Sequence, residues 1–287
     1  MSGLALGGVY ALSGVGLVVL YRATGVLYLA FGAVGAMGAL IAWSMVQHGI
    51  PHWLAWIVCI LFGGVVTLGY GAVFGPPLAG RDPLVRAVAT LGLTLVLAGA
   101  MDLLWPASGG QARSFTLPTD NGGFGVAGVT VTWTQVIGLA AGVALTVGTA
   151  AFLRYTKLGT AMRAMANDRE ITATLGVPVR RVEAAAWFGC GVLAGIAGLL
   201  LQDLVSLDAT TLTYLVISSL AAALIAQLRS IAVTFIAALV IGMLHDMATT
   251  FTALTNYRDM TSFVLAAIAL LWVSRHRTVM SRSREEA

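Results

Sequence analysis

The residues that could do chemistry are few in this sequence, and the motifs that enzymes build from them do not occur. There is no HExxH or GxSxG pattern, and the four histidines, at positions 48, 52, 245 and 276, are scattered. A P-loop ends in glycine and lysine before serine or threonine, whereas the only lysine, Lys157, precedes a leucine. We therefore expect no catalytic residue, no metal site and no cofactor bound by this chain.

One segment nevertheless concentrates charge near the middle of the chain. Residues 156–177 read TKLGTAMRAMANDREITATLGV and hold Arg163, Asp168, Arg169 and Glu170. Two alternatives suit a short segment of mixed charge: a helix that lies on lipid headgroups, or a helix that docks into a groove on a partner protein. Simple adsorption to lipid favours an all-basic polar face, so the mixed charge weighs against the first alternative.

The same segment predicts a single short helix. Thr160 is a suitable N-cap, residues 161–174 contain no glycine or proline, and Gly176 follows them as a stop signal. A helix of about 14 residues is too short to cross a bilayer. One face repeats at helical spacing and is mostly small and apolar; its positions are Ala161, Ala164, Met165, Asp168, Ile171 and Leu175.

The composition around this segment is that of a membrane protein. Of the 287 residues, 59% are hydrophobic and 10% are charged, whereas soluble domains average roughly 25% charged residues. The 34 glycines suit helices that pack closely in lipid. The net charge of +4 is interpreted as a topology signal, and we expect no contact with nucleic acid.

The apolar runs predict an all-α, polytopic fold with about nine membrane spans, within a range of about 8–10. They cover residues 2–21, 25–47, 53–74, 87–105, 134–153, 183–202, 207–226, 230–251 and 260–274. No separate soluble domain is present, so we expect a single transmembrane domain over residues 1–287. The boundary around residues 226–230 is weak, which leaves a broken or re-entrant element open there.

The basic residues predict the orientation. Six of the 16 basic residues fall in residues 154–181 and four more in the C-terminal tail, so both regions are expected in the cytoplasm. The loop over residues 106–133 is rich in glycine, threonine and serine and is expected outside. Counting spans then places the N-terminus outside and the C-terminus inside.

Residues 158–182, LGTAMRAMANDREITATLGVPVRRV, resemble the coupling segment of ABC-importer permeases of the branched-chain amino acid class. The positions that match this segment are Gly159, Ala161, Arg163, Ala164, Asp168, Arg169, Glu170, Leu175, Gly176 and Arg181. The resemblance extends over nearly the whole chain. It implies that residues 154–182 form a cytoplasmic coupling segment, whose short helix lies in a cleft of an ATPase subunit and acts mechanically.

The resemblance also implies a set of partners. They are a second, related permease subunit, two ATPase subunits that bind ATP and Mg²⁺, a substrate-binding protein on the outer face, and membrane lipid. It further implies a bacterial cytoplasmic, or inner, membrane and a small organic solute as cargo, such as a branched-chain amino acid or a more apolar relative.

Two departures from the family pattern stand out. The segment TGVLYLAFG, from Thr24 through Gly25 to Gly32, has Tyr28 where the family commonly has asparagine and Phe31 where it has histidine. Gly25, Ala30 and Gly32 keep the pattern, and small residues around an irregular backbone suit a helix that lines a translocation path. A more aromatic or apolar cargo, a gating role and ordinary core packing are all open for Tyr28 and Phe31. The second departure is AQLRS at residues 226–230, where the family has a glycine-rich turn. If that turn needs positive φ, we expect this chain to build it differently.

A stand-alone secondary carrier is the alternative function. Such carriers place ionisable residues or broken helices within the membrane. His245 and Asp246, in the outer part of the span over residues 230–251, are the best intramembrane candidates. They would mark a polar point on the translocation path, or else a solvated helix end.

Overall fold

The computed structural model describes residues 2–106, 123–126, 129–204, 209–250, 264 and 267. Within these residues the chain is a bundle of α-helices. They are α1 (Ser2–Thr24), α2 (Phe31–Gln47), α3 (His52–Leu78), α4 (Pro83–Leu104), α5 (Trp133–Tyr155), α6 (Lys157–Asn167), α7 (Arg169–Thr174), α8 (Val179–Leu204), α9 (Ala209–Ile225) and α10 (Ile231–Thr250). The predicted all-α polytopic fold is confirmed.

The helices follow from the lack of water in a bilayer, because every backbone N–H and C=O must then be satisfied within its own segment. Five of the described helices (α1, α3, α4, α5 and α8) are long and apolar enough to cross a membrane, and α2 and α10 are shorter apolar helices. The first eight predicted spans correspond to described helices. The ninth, over residues 260–274, lies outside the described residues except for positions 264 and 267, which are helical.

One element was not predicted. Within the loop expected on the outer side, strands β1 (Gly123–Val126) and β2 (Val129–Thr132) form an antiparallel hairpin that pairs Phe124 with Val131. The alternation of valine and threonine in VTVT is typical of a short strand, but four residues are too few to outweigh the surrounding glycine-rich sequence.

Helix α1 is the centre of the bundle. Its apolar stretch is 89% buried, whereas that of α4 is 17% buried. Helix α10 runs antiparallel to α1, so that Gly3 lies beside Asp246 and Gly7 lies beside Leu239. A Cβ atom placed on Gly7 would come within 2.9 Å of the Leu239 Cα. Only glycine permits this approach, and the resulting close contact replaces the hydrophobic driving force that lipid does not supply.

Helices α3 and α8 cross in the same way. Gly191 and Gly195, one turn apart on α8, lie against α3, where Gly63 and Thr67 face them. A Cβ on Gly195 would lie 2.9 Å from the carbonyl oxygen of Cys59, and one on Gly191 would overlap the Thr67 hydroxyl and the Gly63 carbonyl. This small-xxx-small spacing holds the two backbones in direct contact.

The loops that carry basic residues meet at one end of the bundle, which we call the basic end. There the Arg86 guanidinium donates to the Thr24 carbonyl oxygen at 3.4 Å, and Arg163 donates to the Arg154 carbonyl oxygen at 3.3 Å. The contact between Gly3 and Asp246 lies at the opposite end. The described helices therefore alternate in direction as the sequence predicts.

The turn after α9 differs from the expectation. Gln227 and Leu228 have φ values of 54° and 55°, so the chain keeps positive φ at both positions without glycine. The Leu228 N–H donates to the Ala223 carbonyl and the Gln227 N–H to the Leu224 carbonyl, both at 2.8 Å. This is the Schellman pattern of a helix C-terminus, completed by contact between the buried Leu228 and Ala223. The helix cap offsets the strain that the side chains impose.

Packing at the α3–α8 crossing predicts a strong dependence on Gly191. The variant Gly191→Ala should lower the free energy of unfolding in detergent by about 1–3 kcal/mol, because the added methyl has no room. Gly189→Ala, on the same helix with no neighbouring atom within 4 Å of the new Cβ, is the matched control. Thermal denaturation of the purified protein measures both, and equal stabilities would contradict the packing argument.

The left-handed turn predicts a stabilising substitution. Gln227→Gly should raise the free energy of unfolding by about 1 kcal/mol, because glycine adopts positive φ without the steric cost of a Cβ. Arg229→Gly is the control, since Arg229 is outside the set of positive-φ residues and should gain nothing. A lower melting temperature for Gln227→Gly would show that its backbone carries no such cost.

Candidate functional site

The charged segment forms two helices where the sequence predicts one. Helix α6 ends at Asn167, and Asp168 adopts an extended conformation before α7 begins at Arg169. The reason is the Asp168 side chain, whose Oδ1 accepts the Ile171 N–H at 2.9 Å and so caps a new helix. Asn167 and Asp168 therefore interrupt the helix. The prediction of a single helix rested on the lack of glycine and proline, which does not reveal such an interruption.

The start of the segment is also shifted. Thr156, rather than Thr160, is the N-cap of α6, and its hydroxyl oxygen accepts the Gly159 N–H at 3.0 Å. The predicted stop is confirmed: Gly176 has a φ of 81°, and its N–H donates to the Ala173 carbonyl at 3.0 Å. Both capping groups are short polar side chains or glycine, as the rules for helix ends require.

The buried face of the segment differs from the expected one. Gly159, Met162 and Met165 of α6 and Thr172 of α7 are buried, and Ala161 and Ala164 are half-buried. Gly159 lies directly against the backbone of Leu153, which seats α6 on the end of α5. Because the chain breaks at Asp168, α7 no longer continues the register of α6.

That change of register leaves Ile171 and Leu175 exposed, at 59% and 77%. On the same charged segment Arg163, Asp168, Arg169 and Glu170 are also exposed. We use the name docking surface for Arg163, Glu170, Ile171 and Leu175. It combines both signs of charge with two large apolar side chains, which is a composition suited to contact with another protein.

Arg169 does not point freely away from the chain. Its Nη2 lies 2.6 Å from Oε1 of Glu183, near the start of α8. Glu183 was not predicted as a site residue, because a single glutamate at the start of an apolar run carries no motif. The ion pair joins α7 to a membrane-spanning helix.

Thr24, Gly25 and Tyr28 lie at the basic end. Gly25 has a φ of 69° and ends α1, and the Thr24 hydroxyl donates to the Leu20 carbonyl at 2.8 Å. Glycine adopts this positive φ without the steric cost of a Cβ atom. The connector over residues 25–30 then leads into α2.

Tyr28 is packed inside the chain. Only 1% of the residue is exposed, and its ring lies edge-on to Trp187 with centroids 5.4 Å apart. Tyr70 lies 5.6 Å from Trp187 and stacks on Phe74 at 4.9 Å. We call Tyr28, Tyr70, Phe74 and Trp187 the aromatic cluster. The hydroxyls of Tyr28 and Tyr70 are buried without a hydrogen-bond partner among the described residues.

Tyr70, Phe74 and Trp187 were missed by reasoning from sequence. Their spacing on α3 and α8 is that of ordinary core residues, and no motif singles them out. A weak signal was available in Gly71, whose missing side chain leaves room for the Trp187 indole. Beside the cluster lies a pocket of about 410 Å³, open at the basic end and lined by Thr24, Tyr70, Arg86, Arg169, Glu183 and Trp187.

Phe31 and Gly32 line a different cavity. It is a small, partly open space between α1, α2 and α8, with walls of small residues such as Gly35, Ala194 and Gly198. Phe31 is 1% exposed and packs against Gly16. Tyr28 and Phe31 therefore occupy different environments, although they are only three positions apart in the sequence.

His245 and Asp246 lie far along the bundle from these residues. His245 is 7% exposed and faces the Tyr10 ring edge-on at 6.3 Å, while Asp246 is half-buried beside Gly3. Burial of His245 argues against the simple solvated helix end. The structure does not bring this pair together with Thr24, Gly25, Tyr28, Phe31 and Gly32.

The apolar helices of the described residues, with an exposed charged segment at one end of the bundle, are those of a polytopic membrane protein. The chain belongs to the family described as branched-chain amino acid transport system / permease component, whose family model matches residues 1–273. It is therefore an integral membrane protein with a role in transport. Family membership favours a permease subunit over the stand-alone carrier.

Individual relatives agree with this assignment. A probable branched-chain amino acid transport permease protein LivH from Methanocaldococcus jannaschii is 29% identical over 225 residues, which cover 75% of this chain and 69% of the relative. The high-affinity branched-chain amino acid transport system permease protein LivH of Escherichia coli is 25% identical over 290 residues, covering 94% and 91%. A solved structure, PsaBC from Streptococcus pneumoniae in complex with Fab, matches at a TM-score of 0.49 and 14% identity over 94% of this chain and 88% of that one, which is too distant to carry an argument.

The break at Asp168 predicts a specific effect of losing its cap. Asp168→Ala should destabilise α7 by about 1 kcal/mol, so that trypsin cleaves after Arg169 about fivefold faster in the membrane-embedded protein. Asp168→Asn keeps the capping oxygen and should behave like the unmodified protein. If trypsin cleaves the alanine and asparagine variants equally fast, and both faster than the unmodified protein, Asp168 acts through its charge.

Proposed function

We propose that this chain is the membrane-spanning subunit of an ATP-driven ABC importer for branched-chain amino acids or more apolar relatives. The docking surface carries this proposal, since a soluble partner is needed to cover exposed Ile171 and Leu175 beside exposed charge. Its match to the coupling segment of the family and the printed names of the relatives support the same conclusion.

The partners are those that the resemblance to the family implies. An ATPase subunit, which binds ATP and Mg²⁺, docks on α6 and α7, and a second ATPase docks on a second, related permease. A substrate-binding protein meets the opposite face, with residues 106–133 and their hairpin as its contact. The exposed apolar sides of α3 and α4, including Val65, Val73, Leu84 and Leu95, face lipid or the second permease.

The orientation rests on charge. The basic end collects Arg86, Arg154, Arg163 and Arg169, and basic residues are retained on the cytoplasmic side of a membrane. We infer from this that the coupling segment and the C-terminus lie in the cytoplasm and the N-terminus outside. The resemblance to the family supports the inner membrane of a bacterial cell as the location.

The mechanism is transmission of motion. Binding of ATP closes the two ATPases and displaces α6 and α7. Helix α6 is seated on α5 through Gly159 and on the bundle through Met162 and Met165, so its displacement moves the membrane helices as well. The permease pair then exchanges access between the two faces. No residue of this chain takes part in bond breaking.

The cargo path includes the region from Thr24 to Gly32. Phe31 and Gly32 line an apolar cavity. Tyr28 lies nearer the basic end and packs against Trp187 in the aromatic cluster. Tyr28 and Phe31 both stand where the family pattern has polar side chains. An apolar side chain on the cargo suits such walls better than a polar one does.

The docking surface predicts the effect of charge reversal. Arg163→Glu and Glu170→Lys should each lower ATP-dependent uptake at least about tenfold, which corresponds to ~1.4 kcal/mol of lost docking energy. Uptake into proteoliposomes that contain the complete complex measures this, with membrane abundance as the control for insertion. Arg81→Glu makes the same change at an exposed position outside the segment and should transport normally. Normal uptake by both docking variants would show that this surface does not bind the ATPase.

A further inference from the structure

The Arg169–Glu183 ion pair is the starting point for an inference that rests on the proposed function. Arg163, Glu170 and Arg169 look equivalent in the sequence, as exposed charges on one segment. The structure distinguishes them. Arg169 forms an ion pair with Glu183 at 2.6 Å, whereas Glu170 lies on the docking surface. Arg169 thus faces the permease itself rather than a partner alone.

Glu183 lies one helical turn from the aromatic cluster along α8. Trp187 lies four positions further along α8, on the same helix face. It is 4% exposed, and its indole contacts both Tyr28 and Tyr70 at centroid distances of 5.4 and 5.6 Å. Gly71 provides the space into which the indole fits. A shift of the first turn of α8 therefore reaches the aromatic cluster within one helical turn.

Tyr28 connects the cluster to the cavity. It lies on the connector over residues 25–30, between α1 and α2, and that connector ends at Phe31. Phe31 forms part of the wall of the cavity between α1, α2 and α8. Tyr28 and Phe31 are each 1% exposed, so this last part of the route is closely packed.

The pocket at the basic end strengthens the role of the ion pair. Arg169, Glu183 and Trp187 line its edge together with Tyr70 and Arg86. Because open space lies beside the ion pair, side-chain packing does not tie α7 to α3 at this point. The charge contact bridges the gap from α7 to α8.

We propose that Arg169 and Glu183 are positioning residues that carry displacement of α7 to the aromatic cluster through Trp187. The pair is half-exposed on the Arg169 side, so it contributes little to folding stability. Its role is to set the position of α7 against α8 at Glu183, so that a displacement of α7 with the pair intact acts on α8 at this point. Loss of the pair should uncouple ATP hydrolysis from uptake and leave the ATPase bound.

The test is a reciprocal charge swap in the complete transporter complex. Arg169→Glu and Glu183→Arg should each lower the ratio of uptake to ATP hydrolysed by at least about fivefold, the lower range of coupling between sites. The double variant restores the opposite charges in reverse order and should recover most of that ratio. Co-purification of the ATPase with every variant checks docking, and Arg81→Glu serves as the control for a charge reversal at the same end.

Each outcome either supports or overturns the proposed role of the Arg169–Glu183 pair. Unchanged ratios in both single variants overturn the proposal, and so does a double variant as poorly coupled as the single ones, because Arg169 then acts on the ATPase alone. Should a charge reversal prevent membrane insertion, Glu183→Gln replaces it; the amide keeps the shape, and its ratio should still fall. Trp187→Ala should reproduce the uncoupling, whereas Trp187→Phe, which retains the aromatic contact, should preserve coupling.

The unmodified complex separates this inference from the proposed function. If the unmodified chain binds no ATPase and shows no ATP-dependent uptake, the proposed function fails, whatever the variants do. If the unmodified complex transports and the swap has no effect, the proposed function stands and only the route through Glu183 is wrong.

Discussion

Close approach between helix backbones is the constraint on which this protein depends. Apolar side chains gain no hydrophobic free energy by moving from lipid into the protein interior. The bundle is therefore held by van der Waals contact and a few hydrogen bonds. Gly7 against Leu239 and Gly191 against Gly63 bring the helix axes together where a single methyl would overlap. Every other feature, including the seat of α6 and the cluster around Trp187, relies on helices held at fixed distance by these contacts.

Two kinds of connection join the charged segment to this packed bundle. Helix α6 is anchored by burial of Gly159, Met162 and Met165, a contact that resists movement in any direction. Helix α7 is joined through Arg169 and Glu183, an interaction with a definite direction and little cost to make or break. A coupling element needs both, since rigid attachment transmits force and a directional contact selects which membrane helix receives it.

Much of the fold could be predicted from the sequence because membrane spans depend on length and hydropathy, which are local properties. Eight spans, the alternation of the loops and the closing role of Gly176 all followed from such signals. The break at Asp168 did not, because an aspartate reads equally well as a helical residue and as a cap until its neighbours are known. Glu183, Tyr70 and Trp187 gain meaning only from contacts between separate helices, which no single segment encodes. The turn at Gln227 shows the converse: Gln227 and Leu228 adopt positive φ although neither residue type favours it.

Asp168 divides the charged segment into two short helices, because it ends α6 and its side chain caps α7. Under the proposed function this has a consequence for how such transporters diverge. Substitutions that adapt the exposed positions Glu170 and Ile171 of α7 to a different ATPase need not disturb the buried seat of α6 in the bundle. Exchange of these exposed positions between related subunits should consequently transfer partner preference.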